Sequence, residues 1–378
     1  MKIKSVYFFI ADHVKTYEDS LIYLAEGLDK LGIPFYANKN FWQKDVDGNY
    51  LFNKDENVSY KDCDLVVISY TWFEYIDHVS YKHFQQEFPH FLFSKNRKYK
   101  VIYLDPTDGY RTRSWDEEFR KFDIIFRAKY NKYTYNPDNV KPWVLGFTSR
   151  ILEATKNFKV SDERNRVVLQ NFNFTHPYEH GIRKIAKESI LPKINEKIKV
   201  VTNVNDEREV LTGYNLLMWE QTGGKHSPKY YDTLKSSFAI AAFCGELIPY
   251  YPKNPSNYMK GGNKGKILKI AYDIISNLCK KDMRIIQWDS WRFWESLCAG
   301  CIPIHLDLEK YGVELPIMPE NWKHYVGINL EKIEDDIERL VNDKKVDNIG
   351  TTGYNWAMTH YSPSAATKRL IEQLNELL

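Results

Sequence analysis

Glycine is missing where one large class of enzymes would need it. After the first apolar run, "VYFFI" at residues 6–10, no glycine occurs until Gly27. A nicotinamide-dependent oxidoreductase places Gly-x-Gly-x-x-Gly at that turn so that backbone can approach a pyrophosphate, and its absence sets that class aside. Cysteine is scarce: the five, at 63, 244, 279, 298 and 301, are odd in number and irregular in spacing. They read as buried thiols of a reducing compartment, which points to the cytoplasm. No apolar run reaches the roughly 18 residues that cross a bilayer. The run near the start, in "MKIKSVYFFIADHVK", is broken by Asp12 and His13 and lacks a small-residue cleavage pattern, so no secretion signal is read there. Charge of one sign is also lacking. With 53 Lys and Arg against 50 Asp and Glu, the net charge of +3 supplies no field that would make nucleic acid the principal partner. Internal repeats and low-complexity tracts are absent.

What is present is enough for two cores. The 378 residues exceed one ordinary core, and 43% hydrophobic with 27% charged residues is the balance of a folded soluble chain. Short apolar runs alternate with amphipathic segments. "IKSVYFFI", "IPFYANK", "DLVVISY", "KVIYLD" and "DIIFRAKY" read as parallel strands covered on both faces, and "YEDSLIYLAEGLDKLG" reads as a helix stopped by Gly32. Residues 146–166 turn polar and loop-like. Strands resume with "VVLQNFNF", "IKVVTNV", "SFAIAAFC", "MRIIQW", "CIPIHLD" and "HYVGIN", separated by helices near 179–192, 228–235, 264–280 and 290–299, with further helices at 331–342 and 349–359. The expected architecture is α/β: Rossmann-like domains over 1–155 and 156–360 facing a cleft, and a helix over 361–378, opened by Ser362 and Pro363, that crosses back to the first domain. In such sheets ligands bind beyond the carboxyl ends of the strands.

One stretch concentrates the chemistry. "QWDSWRFWESLCAGCIPIHLD" sets a short helix, with Asp289 and Ser290 at its start and Gly300 as its left-handed stop, before a buried strand. Its amino end would face a phosphate, Arg292 adds a permanently charged fork, and Glu295 one turn later could accept from two ribose hydroxyls. The alternative is an Arg292–Glu295 surface pair of little energetic value.

"YYDTLKSSFAIAAFCGE", followed by "SWRFWESLCAGCIPIHLD", resembles the nucleotide-binding half of two-Rossmann (GT-B) glycosyltransferases, and most closely the exostosin-like branch. Tyr231, Leu234, Ser237 and Phe238 match the first half of its pattern, and Arg292, Glu295, Gly300, Ile302 and Pro303 the second. The resemblance covers about a fifth of the chain. It implies transfer of a sugar from a nucleotide-diphosphate donor to a hydroxyl acceptor such as a glycan, with Glu295 at the donor ribose or sugar and Arg292 at the diphosphate. Gln287 stands where many retaining members carry the first Glu of Glu-x7-Glu. The resemblance further implies that Asp12 or His13, directly after the first strand, acts as general base on the acceptor hydroxyl. Asp105 and Asp108 in "LDPTDGYRTR" compete for that role, with Arg111 or Arg113 touching acceptor.

Other cations lie near strand ends. Lys225, His226 and Lys229 in "GGKHSPKYYDTL" could neutralise the leaving diphosphate, and His176 or Arg183 would face the crevice after the first strand of the second half. "HPYEH" at 176–180 has zinc-helix lettering, but Pro177 confines His176 to the cap and no third ligand is evident, so no metal is assigned. "GGNKGK" misses the Walker spacing and reads as a basic loop, solvated or gripping an anion. With helix dipole and cations to carry phosphate charge, no metal is expected to be obligatory. Two other readings stay open: a non-catalytic nucleotide-sugar or glycan-binding protein on the same fold, and a transferase acting on nucleic acid.

Overall fold

A computed structural model of the chain describes residues 3–11, 17–77, 82–85, 87–107, 114–159, 163–172, 181–202, 210–248 and 284–376, with helical positions 267, 270, 271, 274, 275 and 278 between the last two stretches. In the first half, β1 (Val6–Phe9) and β2 (Phe35–Ala37) are joined by the Asp19–Lys30 helix. A small antiparallel pair, β3 (Phe41–Gln43) and β4 (Tyr50–Phe52), comes next. Then come β5 (Leu65–Ser69), a hairpin of β6 (Glu74–Asp77) and β7 (Lys82–Gln85), and β8 (Lys100–Asp105), β9 (Ile124–Arg127) and β10 (Val140–Pro142). The main sheet runs β10-β9-β8-β5-β1-β2 and is parallel throughout. All five residues of β5 are buried, because helices or loops cover both faces; that is why its sequence is continuously apolar rather than alternating.

The second half repeats the plan. β11 (Asn165–Gln170), β12 (Lys199–Thr202), β13 (Ser237–Ala241), a hairpin of β14 (Gly245–Ile248) and β15 (Arg284–Gln287), β16 (Ile302–Leu306) and β17 (Val326–Ile328) follow in order. The second sheet is parallel in the order β12-β11-β13-β16-β17. In each sheet the second strand lies on one side of the first and the third on the other. The winding therefore reverses between β1 and β5, and again between β11 and β13, and these crevices are where doubly wound sheets hold ligands.

Three sequence expectations are corrected. "MRIIQW" yields a strand, but it pairs antiparallel with β14 outside the second sheet. The polar 146–166 stretch contains a helix, Ser149–Thr155, which turns Arg150, Ile151 and Thr155 inward. The helix expected over 179–192 runs on to Asn195 with a widened turn at Ala186–Ile190, just before Pro192, whose missing N–H breaks the regular ladder.

The crossing tail forms as expected. Helices Ile349–Tyr361 and Pro363–Glu376 follow the second sheet, and the last packs along Asp19–Lys30 of the first half. Tyr23 donates its hydroxyl to the Tyr361 carbonyl at 2.6 Å. Leu21, Leu24 and Leu28 join Trp294, Tyr361, Leu370 and Leu374 in one buried cluster, so a single apolar core spans both halves. Gly27 permits this approach: a Cβ there would lie 2.0 Å from Thr367 Oγ1 and 2.3 Å from the Pro363 carbonyl oxygen. Gly27→Ala is expected to cost about 1–3 kcal/mol by overpacking, read as a lowered urea midpoint. An unchanged midpoint would mean the tail does not pack here.

Candidate active site

The Trp291–Cys298 helix lies between the halves, and most of its side chains are buried. Ser290 caps it, accepting from the Phe293 N–H at 3.4 Å and donating to the Ala242 carbonyl, just past β13, at 3.1 Å. Asp289, expected at the helix start that faces the donor phosphate, is corrected. Its side chain is buried and accepts from Trp294 Nε1 at 2.5 Å and Leu145 N–H at 3.4 Å, and burial pushes its pKa up to about 6. It serves the core. Gly300 closes the helix at φ 58°, as its position predicts.

Trp291 and Arg292 define the cleft side. Trp291 reaches the first half, donating Nε1 to Asp19 Oδ2 at 2.7 Å, beside the ring of Tyr17 at 5.6 Å and under the Lys225 ammonium at 4.5 Å. Arg292 is half-buried at the second winding reversal. Its Nε donates to the carbonyl of Asn171, just past β11. Arg183 enters the same crevice over the Phe172 ring at 5.5 Å, donating to the Phe243 carbonyl at 3.2 Å. Burial holds the Arg292 pKa below its ordinary value, and the like charge of Arg183 adds to that. The two arginines thus donate to carbonyls just past the ends of β11 and β13.

Glu295 departs from expectation. The two hydroxyls it accepts are those of Tyr230, at 2.7 Å, and Tyr231, at 3.3 Å, and burial raises its pKa. This joins the two halves of the sequence pattern physically: Tyr231 of the first meets Glu295 of the second. His226 is corrected as a phosphate cation. It is 1% exposed against the rings of Tyr17 and Tyr231, and burial, reinforced by Arg150 and Lys225, drives its pKa down to about 3, so the imidazole is neutral. Lys225 is exposed over Trp291, and Lys229 is half-buried in the first turn of the Pro228–Ser236 helix.

On the first sheet, Asp105 ends β8 but its oxygens are engaged. It accepts from Thr107 N–H at 3.0 Å, from the Thr107 and Ser114 hydroxyls, and from Arg127 at 2.6 Å in a pair with no appreciable exposure. A carboxylate so occupied serves as an anchor, which corrects its candidacy as base. Asp12, His13, Asp108, Arg111, Arg113, His176 and the "GGNKGK" loop lie outside the described residues.

The residue that sequence reading missed is Glu18. It is fully buried at the first winding reversal, with Ser69 Oγ at 2.8 and 3.0 Å from its two oxygens, and burial pushes its pKa up to about 8. Acids at a helix start are ordinary caps, so nothing in the sequence separated this one from its neighbours.

Cavities follow the same geography. The space between Tyr17, Asp19, Leu145, Thr148 and Trp291 is about 10 Å³, near the size of one water. A concavity of about 360 Å³ beside Gly32, Phe35 and Tyr50 lies at the amino end of β2, away from these groups.

No family model matches the chain, and no curated protein matches it by sequence. Among solved structures it is similar to an alpha-glucosyltransferase in complex with UDP and a 13-mer DNA containing an HMU base, at 14% identity and TM-score 0.49 over 99% of each chain. It is also similar to sucrose-phosphate synthase from Thermosynechococcus elongatus, at 9% identity and TM-score 0.49 over 99% of each. A third is Anabaena Alr3699/HepE in complex with UDP-glucose, at 8% identity and TM-score 0.45 over 98% of this chain and 99% of that one. At these values the likeness decides nothing about chemistry, which rests on the side chains above.

The pKa of Glu18 carries a sign that can be checked. Between its ordinary value of 4.5 and about 8 the folded chain keeps a proton that the unfolded chain releases, so this group's contribution to stability is lost as pH rises through that window. Glu18→Gln should flatten the fall in stability between pH 5 and pH 8 by about 1 kcal/mol per pH unit, measured by urea unfolding at both. Parallel slopes for variant and wild type would show that the carboxyl is ionised in the fold.

Proposed function

We propose that the chain transfers a glycosyl group from a nucleotide-diphosphate sugar to a hydroxyl acceptor, in the manner of the exostosin-like glycosyltransferases that its Tyr231 and Arg292–Glu295 patterns resemble. The observation that carries this reading is the half-buried Arg292 in the first turn of the Ser290-capped helix, where it donates to the Asn171 carbonyl at the second winding reversal. Burial alone disfavours the charge of that guanidinium, and an anion beside it offsets the cost while accepting charge-assisted hydrogen bonds. A diphosphate has the charge and the oxygens for that place, and the Ser290-capped helix aims its positive end the same way. Glu295 then acts from behind, with Tyr230 and Tyr231 holding its carboxylate one turn from Arg292.

In the reaction the acceptor oxygen attacks the anomeric carbon and the bond from that carbon to the phosphate oxygen breaks. The diphosphate leaves with the electron pair, stabilised by the guanidinia. The hydroxyl proton goes to a base on the first-sheet rim, for which Asp12, His13 and Asp108 are the proposed groups, since Asp105 is held by Arg127. The Trp291–Asp19 contact joins the two halves beside the donor crevice, so donor binding and closure of the seam are coupled. Cationic side chains and the helix dipole carry the phosphate charge, the protein works in the cytoplasm, and a chelator should leave its activity unchanged.

A thermal-shift screen against UDP, GDP, TDP and CMP sugars tests the reading, because a ligand bound only by the folded chain raises the melting temperature. One nucleotide-diphosphate sugar should stabilise the protein, and Arg292→Ala and Arg183→Ala should each weaken that donor by about tenfold to a hundredfold with the unliganded melting temperature held. Product analysis with glycan acceptors should then show transfer. Stabilisation without product would make the chain a donor-binding protein, and sugar appearing only on nucleic acid would move the acceptor class. Full donor affinity in both arginine variants would remove the site.

A further inference from the structure

We propose that the concavity at the amino end of β2 is a saccharide-binding site, separate from the donor crevice, that holds a stretch of glycan. It measures about 360 Å³, within the roughly 300–1,000 Å³ of ordinary ligand sites. The Asp19–Lys30 helix contributes Asp29 to its wall, β2 contributes Phe35, and the β3–β4 hairpin and its margin contribute Lys44, Tyr50, Leu51 and Asn53. These walls are fastened to one another. The Asn53 carbonyl accepts from the Ala37 N–H of β2 at 3.2 Å, the Asn40 side chain accepts from the Lys54 N–H at 2.8 Å, and the hairpin turn closes from the Lys44 N–H to the Asn49 carbonyl at 2.8 Å. Phe35 is held against the rings of Phe8 at 5.8 Å and Phe52 at 6.0 Å. The place is therefore formed before a ligand arrives, which avoids the ordering cost that weakens binding by mobile loops.

The chemistry of the lining selects the occupant. Half-buried Phe35 and Tyr50 and buried Leu51 offer ring and aliphatic surface, while exposed Asp29, Lys44 and Asn53 supply a carboxylate, an ammonium and an amide. One acid and one base leave no net charge, so the field favours neither a phosphate nor a cation. A sugar ring suits both parts of this lining. Its C–H faces lie on aromatic faces, whose π clouds are negative, and its hydroxyls accept from the ammonium and the amide and donate to the carboxylate. A nucleic acid would bring phosphates that Asp29 repels as Lys44 attracts them. A peptide strand would need an open sheet edge, whereas Ala37 of β2 is already bridged to Lys54. The concavity lies at the opposite end of the first sheet from the rim where the proposed base stands. Its use rests on the transferase reading: a glycan held here lies away from its own reacting hydroxyl, so the acceptor is a chain rather than a single sugar.

The test is isothermal titration of the full chain with maltoheptaose, cellohexaose and chitohexaose, beside thermal shift with the nucleotide sugars. At least one oligosaccharide is expected to bind. The double variant Tyr50→Ala with Asn53→Ala should weaken it by about tenfold, as should Asp29→Asn with Lys44→Met, while both variants keep the wild-type response to the donor. Asp29 and Lys44 are exposed, so their variant should melt as wild type does, and it decides the matter if the Tyr50 variant does not fold. Three results would each overturn the proposal: no binding of any of the three oligosaccharides, equal binding by wild type and the folded variants, or loss of donor and oligosaccharide together in the folded variants. Oligosaccharide binding without any donor response would support this site and remove the transferase reading, whereas a donor response without oligosaccharide binding would do the reverse.

Discussion

The structure depends on one constraint: the Trp291–Cys298 helix is covered by both halves of the chain, so each of its polar side chains must find a partner without bulk water. Unpaired buried polar groups cost on the order of 1–3 kcal/mol each. The solutions are specific. Trp291 donates to Asp19, Arg292 to the Asn171 carbonyl, Trp294 to Asp289, and Glu295 accepts from two tyrosines. Each partner comes from a different part of the chain, so satisfying one helix aligns the first sheet, the linker at Leu145 and the second sheet's crevice together.

The seam is built to the same rule. Trp294 packs on Tyr361 at 4.9 Å and stacks on Trp356 at 6.0 Å, while Tyr361 receives the hydroxyl of Tyr23 through its carbonyl. The aromatic cluster and the strapping tail make the two halves share an interior, and a change in the seam is felt at the crevice because its contacts meet on one short helix. Interiors packed this closely shift between discrete arrangements rather than deform smoothly. That is the property a donor-dependent closure requires.

The strands were legible because their cause is local. "VYFFI" and "DLVVISY" are uniformly apolar since both faces of a parallel sheet are covered, and that leaves its mark on every residue of the run. The short helix was legible for a like reason, from Gly300 and its apolar stripe. The Ser149–Thr155 helix was not, because three inward residues among polar ones leave no clear period. Asp289 and His226 were misread because their chemistry suited a ligand while their burial assigned them to the interior. Glu18 was passed over for the opposite reason: its letter and place are those of any helix cap.

Sequence alone determined the alternation of strand and helix, the two-sheet plan, the returning tail and the placement of Arg292 and Glu295 on one helix, because periodicity and turn chemistry act over a few residues. Tertiary structure decided which polar groups face the crevice and which are locked away. Glu295 meets Tyr230 and Tyr231, Asp105 meets Arg127, and Arg292 meets the Asn171 carbonyl across more than a hundred positions of chain. Those meetings follow from strand order, and strand order is set by how the whole chain packs, not by any one of its segments.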